Sequence, residues 1–167
     1  IRYYDFLLGK RIADPDGYKG WIGVYEYDDN YWQDALVGEA ILYEGILKFS
    51  VLVLEDKSLT KNNKYYYKAN LYKEEAQREF VEKWDKRNCW VDDGEFGTYI
   101  GFNKFLKKDN LKRWMENENV DRASISHPFN KQMDAGQVFI RLYRITGEKV
   151  YRDRAVKIFL KEKSHFQ

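Results

Sequence analysis

In 167 residues the chain has one cysteine, Cys89, two prolines and two histidines, and each scarcity excludes something. A lone cysteine forms no intramolecular disulfide and no cysteine-based zinc site. His127 and His165 lie far apart and do not by themselves specify a metal site, so neither a metal nor another cofactor is expected. Long apolar runs are also missing. Even the most hydrophobic stretch, 35–54, is broken by Glu39, Glu44 and Lys48, short of the roughly 20 apolar residues that cross a bilayer. The net charge is only +2, from 29 basic and 27 acidic residues, which gives no electrostatic case for nucleic acid or an anionic membrane as partner. No glycine-rich phosphate loop and no G-x-S-x-G elbow occurs, which removes most support for ATP, NAD and serine-hydrolase chemistry.

What remains is a chain that should fold. Hydrophobic residues make up 44% and charged residues 34%, a balance suited to one helical domain over residues 1–167. Aromatic residues reach 17%, with 14 Tyr, 10 Phe and 5 Trp. Most large rings pack in cores. Clustered beside polar groups they also suit sugars, whose C–H faces stack on aromatic planes while their hydroxyls need hydrogen bonds.

Residues 11–30 combine glycine, proline and acidic residues and read as an ordered, aromatic-rich loop. From Tyr31 to about Asp56, apolar residues at three- and four-residue spacings predict a helix that is apolar on nearly every side. Such a helix belongs in an inner layer, and Gly38 and Gly45 would let neighbours approach closely. After KSLTKNN, the stretch from Lys64 to about Asn88 repeats Tyr65, Ala69, Tyr72, Ala76, Phe80 and Trp84 among charged residues, an amphipathic outer helix antiparallel to the first. A shorter helix is expected over 103–117. A second hairpin joins a helix from about Asn130 to Ile145, through Thr146-Gly147, to one from Lys149 to about Ser164. The fold class is therefore all-α, built of antiparallel helical hairpins.

The segment from Ser126 to Phe166 resembles the inner-helix, short-turn, outer-helix repeat of (α/α) toroid carbohydrate enzymes, a group that includes alginate-lyase-like polysaccharide lyases and six-hairpin glycoside hydrolases. The resemblance lies in Pro128 and Asn130 before the inner helix, the Leu142-Tyr143 pair, Thr146-Gly147 in the turn, and Tyr151 with Arg154-Ala155 in the outer helix. It implies that this chain forms part of a toroid, because a complete one has six or seven hairpins. It also implies an oligosaccharide or polysaccharide substrate met at the end of the barrel where inner helices begin. The chain starts at Ile1 without a signal-peptide pattern, so a removed leader or further sequence is expected, and with it a periplasmic or extracellular location.

The first candidate site is the SHPFN junction, where His127 and Asn130 fall at a helix start rich in unpaired backbone N–H groups. For a lyase acting on uronate-containing glycans, Asn130 would neutralise the sugar carboxylate, and His127 would act as base or neutraliser in β-elimination. The plainer alternative is that Asn130 caps its helix and His127 is an ordinary loop residue. At the start of the first buried helix, Tyr31, Trp32 and Asp34 are candidate substrate contacts: Trp32 for stacking, Asp34 as an acid or as partner of the helix dipole. Asp92, Asp93 and Glu95 form an acidic cluster that lacks EF-hand spacing and reads as a solvated loop. A hydrolase of the same fold is the alternative activity, and a non-catalytic helical-repeat binding module is the alternative to an enzyme.

Overall fold

A computed structural model describes residues 1–13, 16–21, 23–25, 31–33, 35–100 and 129–165, with 23–25 and 31–33 described as backbone alone. The chain is mostly helical, as the periodicity predicts. Helix α1 (Arg2–Gly9) leads into two short antiparallel ribbons, β1 (Ile12–Ala13) with β2 (Lys19–Gly20), and β3 (Gly23–Tyr25) with β4 (Tyr31–Gln33). Helix α2 (Leu36–Glu55) follows. Then come α3 (Asn63–Ala76), a π-helical turn (Gln77–Glu82) and α4 (Lys83–Lys86), which together form one rod. A third ribbon, β5 (Trp90–Asp92) with β6 (Gly97–Tyr99), precedes the last hairpin, α5 (Phe129–Thr146) and α6 (Lys149–Ser164).

The two helical hairpins pack side by side around a common core. Helix α2 contributes Leu36, Ala40, Tyr43 and Leu47, and the α3–α4 rod contributes Tyr72, Ala76, Phe80 and Trp84. Helices α5 and α6 add Ala135, Val138, Phe139 and Leu142, and Tyr151, Ala155 and Ile158. These are the three- and four-residue spacings that place side chains on one helix face. Fully burying a side chain the size of Leu or Phe stabilises by about 1.5–3 kcal/mol. The rings interlock as well: Phe80 lies 6.0 Å from Tyr43 and 6.3 Å from Phe139, so one aromatic chain links α2, the rod and α5.

Helix ends follow their local chemistry. Asn62 accepts a hydrogen bond from the Tyr65 N–H at 3.2 Å and starts α3. Gly147, at φ +72°, makes the left-handed stop between α5 and α6, where the Gly147 N–H donates to the Tyr143 carbonyl at 2.8 Å.

Helices α2 and α5 are neighbours that run in the same direction. Arg141 pairs with Glu44, and three residues further along α5 Arg144 pairs with Glu55, so both helices advance together. Helix α3 packs on α2, and α6 packs on α5.

Four expectations are corrected. Tyr31–Gln33 is a strand: it pairs with Gly23–Tyr25, and the helix starts only at Leu36, after Ala35 in an extended conformation. Residues 11–30, expected as loop, carry β1, β2 and β3. Helix α2 is not covered on every side, since Ile41 and Leu52 are more than half exposed. Gly38 and Gly45 have nothing within 4 Å of an added Cβ, so they mediate no close approach; Gly136, packed on Phe159, does so between α5 and α6. The helix expected over 103–117 lies outside the described residues.

Candidate functional site

Because α2 and α5 run together, their first turns meet at one end of the molecule. Among the described residues, six of the seven buried polar or charged ones belong to that half: Glu39, Glu79, Lys83, Arg87, Gln132 and Glu162, with Ser50 the exception. Buried charge needs partners, and most of this set has them. Lys83 pairs with the Glu39 carboxylate and donates to the Lys19 carbonyl at 3.2 Å, while the Trp84 indole N–H donates to the other Glu39 oxygen at 2.9 Å. The Lys19 N–H donates to Glu79 at 2.6 Å, so β2 closes over this network. Arg87 reaches Asp16 at 2.8 Å. The π-helical turn carries Glu79 and brings the rod round so that Lys83 and Trp84 face Glu39.

The β5–β6 ribbon sits at the same end. The Gln132 side chain accepts from the Tyr99 N–H at 3.0 Å and donates to the Tyr99 carbonyl at 2.7 Å, gripping the ribbon's last residue like a further strand. The Tyr99 ring stacks on Phe139 at an interplanar angle of 5°. Burial pushes its phenol well above the usual range, and with no exposed surface it meets no solute. Arg154 forms a two-pronged pair with Asp85, at 2.8 Å for each bond, and lies over the Trp90 and Phe139 rings. These groups hold the scaffold together.

The acidic cluster at the ribbon's tip behaves as expected of a solvated turn. Asp92 pairs with Lys157 at 2.6 Å, and Asp93 accepts from the Glu95 and Phe96 N–H groups at 3.2 and 2.6 Å. Among the described residues no group of three or more His, Cys, Asp or Glu is placed to hold a metal ion.

An open cavity of about 310 Å³ lies between the start of α5 and the end of α6, lined by Phe129, Met133, Phe159, Glu162 and Lys163. Its walls are aromatic and thioether carbon. Glu162 is 6% exposed and makes no side-chain hydrogen bond or ion pair within the described residues. Desolvation raises its carboxyl above the usual value, and the nearby positive charges of His165 and Lys161 only partly oppose this. Sequence reasoning missed Glu162, because in the run KEKS it looks like one more solvated charge.

Of the residues singled out from the sequence, Asn130 lies in the first turn of α5, exposed, beside Phe129 of the cavity wall. The helix already includes Phe129, so the capping position falls before it and Asn130 is not the cap. Tyr31 and Trp32 lie on β4, which runs into the start of α2, and only their backbone is described. Asp34 and His127 lie outside the described residues.

No family model matches the chain, and no curated protein or solved structure matches it either.

Proposed function

We propose that this chain is a domain of a carbohydrate-active enzyme, a lyase of uronate-containing polysaccharides, in which α2 and α5 are neighbouring inner helices of an (α/α) toroid. The observation that supports this reading is the shared direction of α2 and α5. It brings the first turn carrying Asn130 and the strand carrying Tyr31 and Trp32 to the same end.

The chemistry follows from a sugar carboxylate. A base removes the proton at C5, the electron pair forms the C4–C5 double bond, and the C4–O bond breaks to release a chain whose oxygen takes up a proton. The barrier falls when the carboxylate is neutralised, for which an exposed amide at a helix N-terminus, Asn130, is suited. His127 is the proposed base. Tyr31, Trp32 and Asp34 are the proposed sugar contacts. Glu162 would repel a uronate, so the sugar carboxylate belongs over the helix start rather than in the cavity.

The hydrolase alternative requires two carboxyl groups facing one glycosidic bond, about 5–9.5 Å apart. Among the described residues that line the cavity, Glu162 is the one carboxylate. A periplasmic or extracellular location belongs to the same proposal.

Incubating the protein with a panel of uronate polysaccharides while following the absorbance of unsaturated products tests the reading. Accumulating absorbance supports it. Cleavage without absorbance assigns a hydrolase instead, and glycan binding without cleavage assigns a binding module.

A further inference from the structure

The connection from α2 to α3 is basic, although the chain as a whole is nearly neutral. Residues 57–73 hold five lysines and no aspartate or glutamate, so the rest of a chain with 29 basic and 27 acidic residues is slightly acidic. The nearest acids are engaged elsewhere. Asp56 accepts from the Ser58 and Leu59 N–H groups at 2.7 and 3.3 Å, Glu55 pairs with Arg144, and Asp5 pairs with Lys68. Lys57, Lys61 and Lys64 are exposed and form no ion pair among the described residues. Beside them Tyr65, Tyr66 and Tyr67 are 37%, 50% and 63% exposed. Tyr65 still meets the Phe49 ring edge-on, whereas Tyr66 and Tyr67 meet no other ring among the described residues. Core packing therefore does not account for them.

Consecutive helical residues turn by about 100° and rise by about 1.5 Å, so these three rings fan out around α3 yet occupy one shallow layer. Helical side chains lean toward the N-terminus, here toward the tip of the hairpin and its lysines. A single nucleic-acid strand follows one track and stacks on rings that face it. A flat surface meets a girdle at a common depth. Tyrosine suits the headgroup layer of a bilayer, and lysine suits anionic headgroups.

We propose that the tip formed by 57–67 docks on a bilayer surface rich in anionic phospholipid, with Lys57, Lys61 and Lys64 on the headgroup phosphates and Tyr66 and Tyr67 in the interfacial layer. Docking is peripheral: no helix among the described residues is long and apolar enough to cross a membrane. The tip follows the C-terminal end of α2, a 20-residue helix about 30 Å long, so the end that carries Asn130 stays in solution. The proposal is independent of the lyase reading.

Co-sedimentation with vesicles of phosphatidylcholine alone, and of phosphatidylcholine mixed equally with phosphatidylglycerol, tests it. The protein is expected to sediment with the mixed vesicles, to stay in solution with the neutral ones, and to be released as added salt screens the exposed charges. Lys61→Gln with Lys64→Gln should weaken binding by about 25-fold, from about fivefold for each lysine at an anionic surface. Tyr66→Ser with Tyr67→Ser should also weaken it, with the salt dependence unchanged. Lys163→Gln, at the other end of the molecule, should leave it as in the parent. All these side chains are exposed, and an unchanged helical signal should show that the variants fold. Absence of sedimentation with the mixed vesicles, equal binding to both kinds, or a Lys61/Lys64 variant that binds like the parent would each overturn the proposal. Capture of a single-stranded oligonucleotide by the same residues, without vesicle binding, would overturn it in favour of nucleic acid.

Discussion

Replacing Lys83 with methionine should cost the protein more than any other single truncation of its buried charges. The Lys83 ammonium is fully buried and the Glu39 carboxylate almost so, and β2 covers both. Removing the lysine takes the counter-charge from a carboxylate in a low-dielectric site, to which the Trp84 indole N–H still donates at 2.9 Å. Breaking a buried pair from one side typically costs about 3–5 kcal/mol. That is a large share of a total stability of roughly 5–15 kcal/mol. The double variant Glu39→Gln with Lys83→Met should lose less, because glutamine keeps an acceptor for Trp84 and removes the stranded charge. Its residual cost includes the donor lost by the Lys19 carbonyl, about 1–3 kcal/mol. Urea unfolding followed by far-ultraviolet circular dichroism, at constant m-value, measures both. A Lys83→Met loss below about 1 kcal/mol, or a double variant as unstable as the sum of the singles, would refute the reasoning.

Glu162→Gln should stabilise the protein at neutral pH: with a carboxyl raised by desolvation, the native state gains stability as pH falls through that raised value, and thermal midpoints of parent and variant should converge there. Glu44 has the opposite sign. Burial would raise its carboxyl, but Arg141 and Lys48 hold it below the ordinary 4.5, so its contribution is full above that value and disappears in more acidic solution; Glu44→Gln should flatten the acid limb of a pH–stability curve. Gly97→Ala places a methyl group against the Trp90 ring and should cost about 1–3 kcal/mol in chemical denaturation. Asn130→Ala should change stability by less than about 0.5 kcal/mol, because the residue is exposed inside a helical turn, while a role in substrate neutralisation would show as lost turnover.

The helical hairpins were legible because burial imposes a period. Ala69, Tyr72, Ala76, Phe80 and Trp84 mark the inner face of the rod as plainly in the sequence as in the coordinates. Gly147 was legible for a different reason, since a left-handed stop tolerates few other residues. The β3–β4 ribbon was not. Tyr31 and Trp32 fit a helical apolar pattern and a strand equally well over three residues, and only pairing with Gly23–Tyr25 decides between them. The buried charges were hidden too. Lys83 and Glu162 stand among other charged residues, Glu39 stands alone in an apolar stretch, and burial of a charge depends on which distant segment folds over it, here β2 for Glu39 and Lys83. The π-helical turn has no period of its own in a single sequence. Of the candidate site, the helix start at Asn130 could be read from local signals, whereas the Glu162 cavity needed the packing of α6 on α5.

If the shared end of α2 and α5 is the sugar-binding face, titrating a uronate oligosaccharide into the isotope-labelled protein should perturb amides concentrated at 31–40, 97–100 and 129–133. Shifts concentrated instead around 52–63 and 144–149, at the opposite end of the helices, would contradict it.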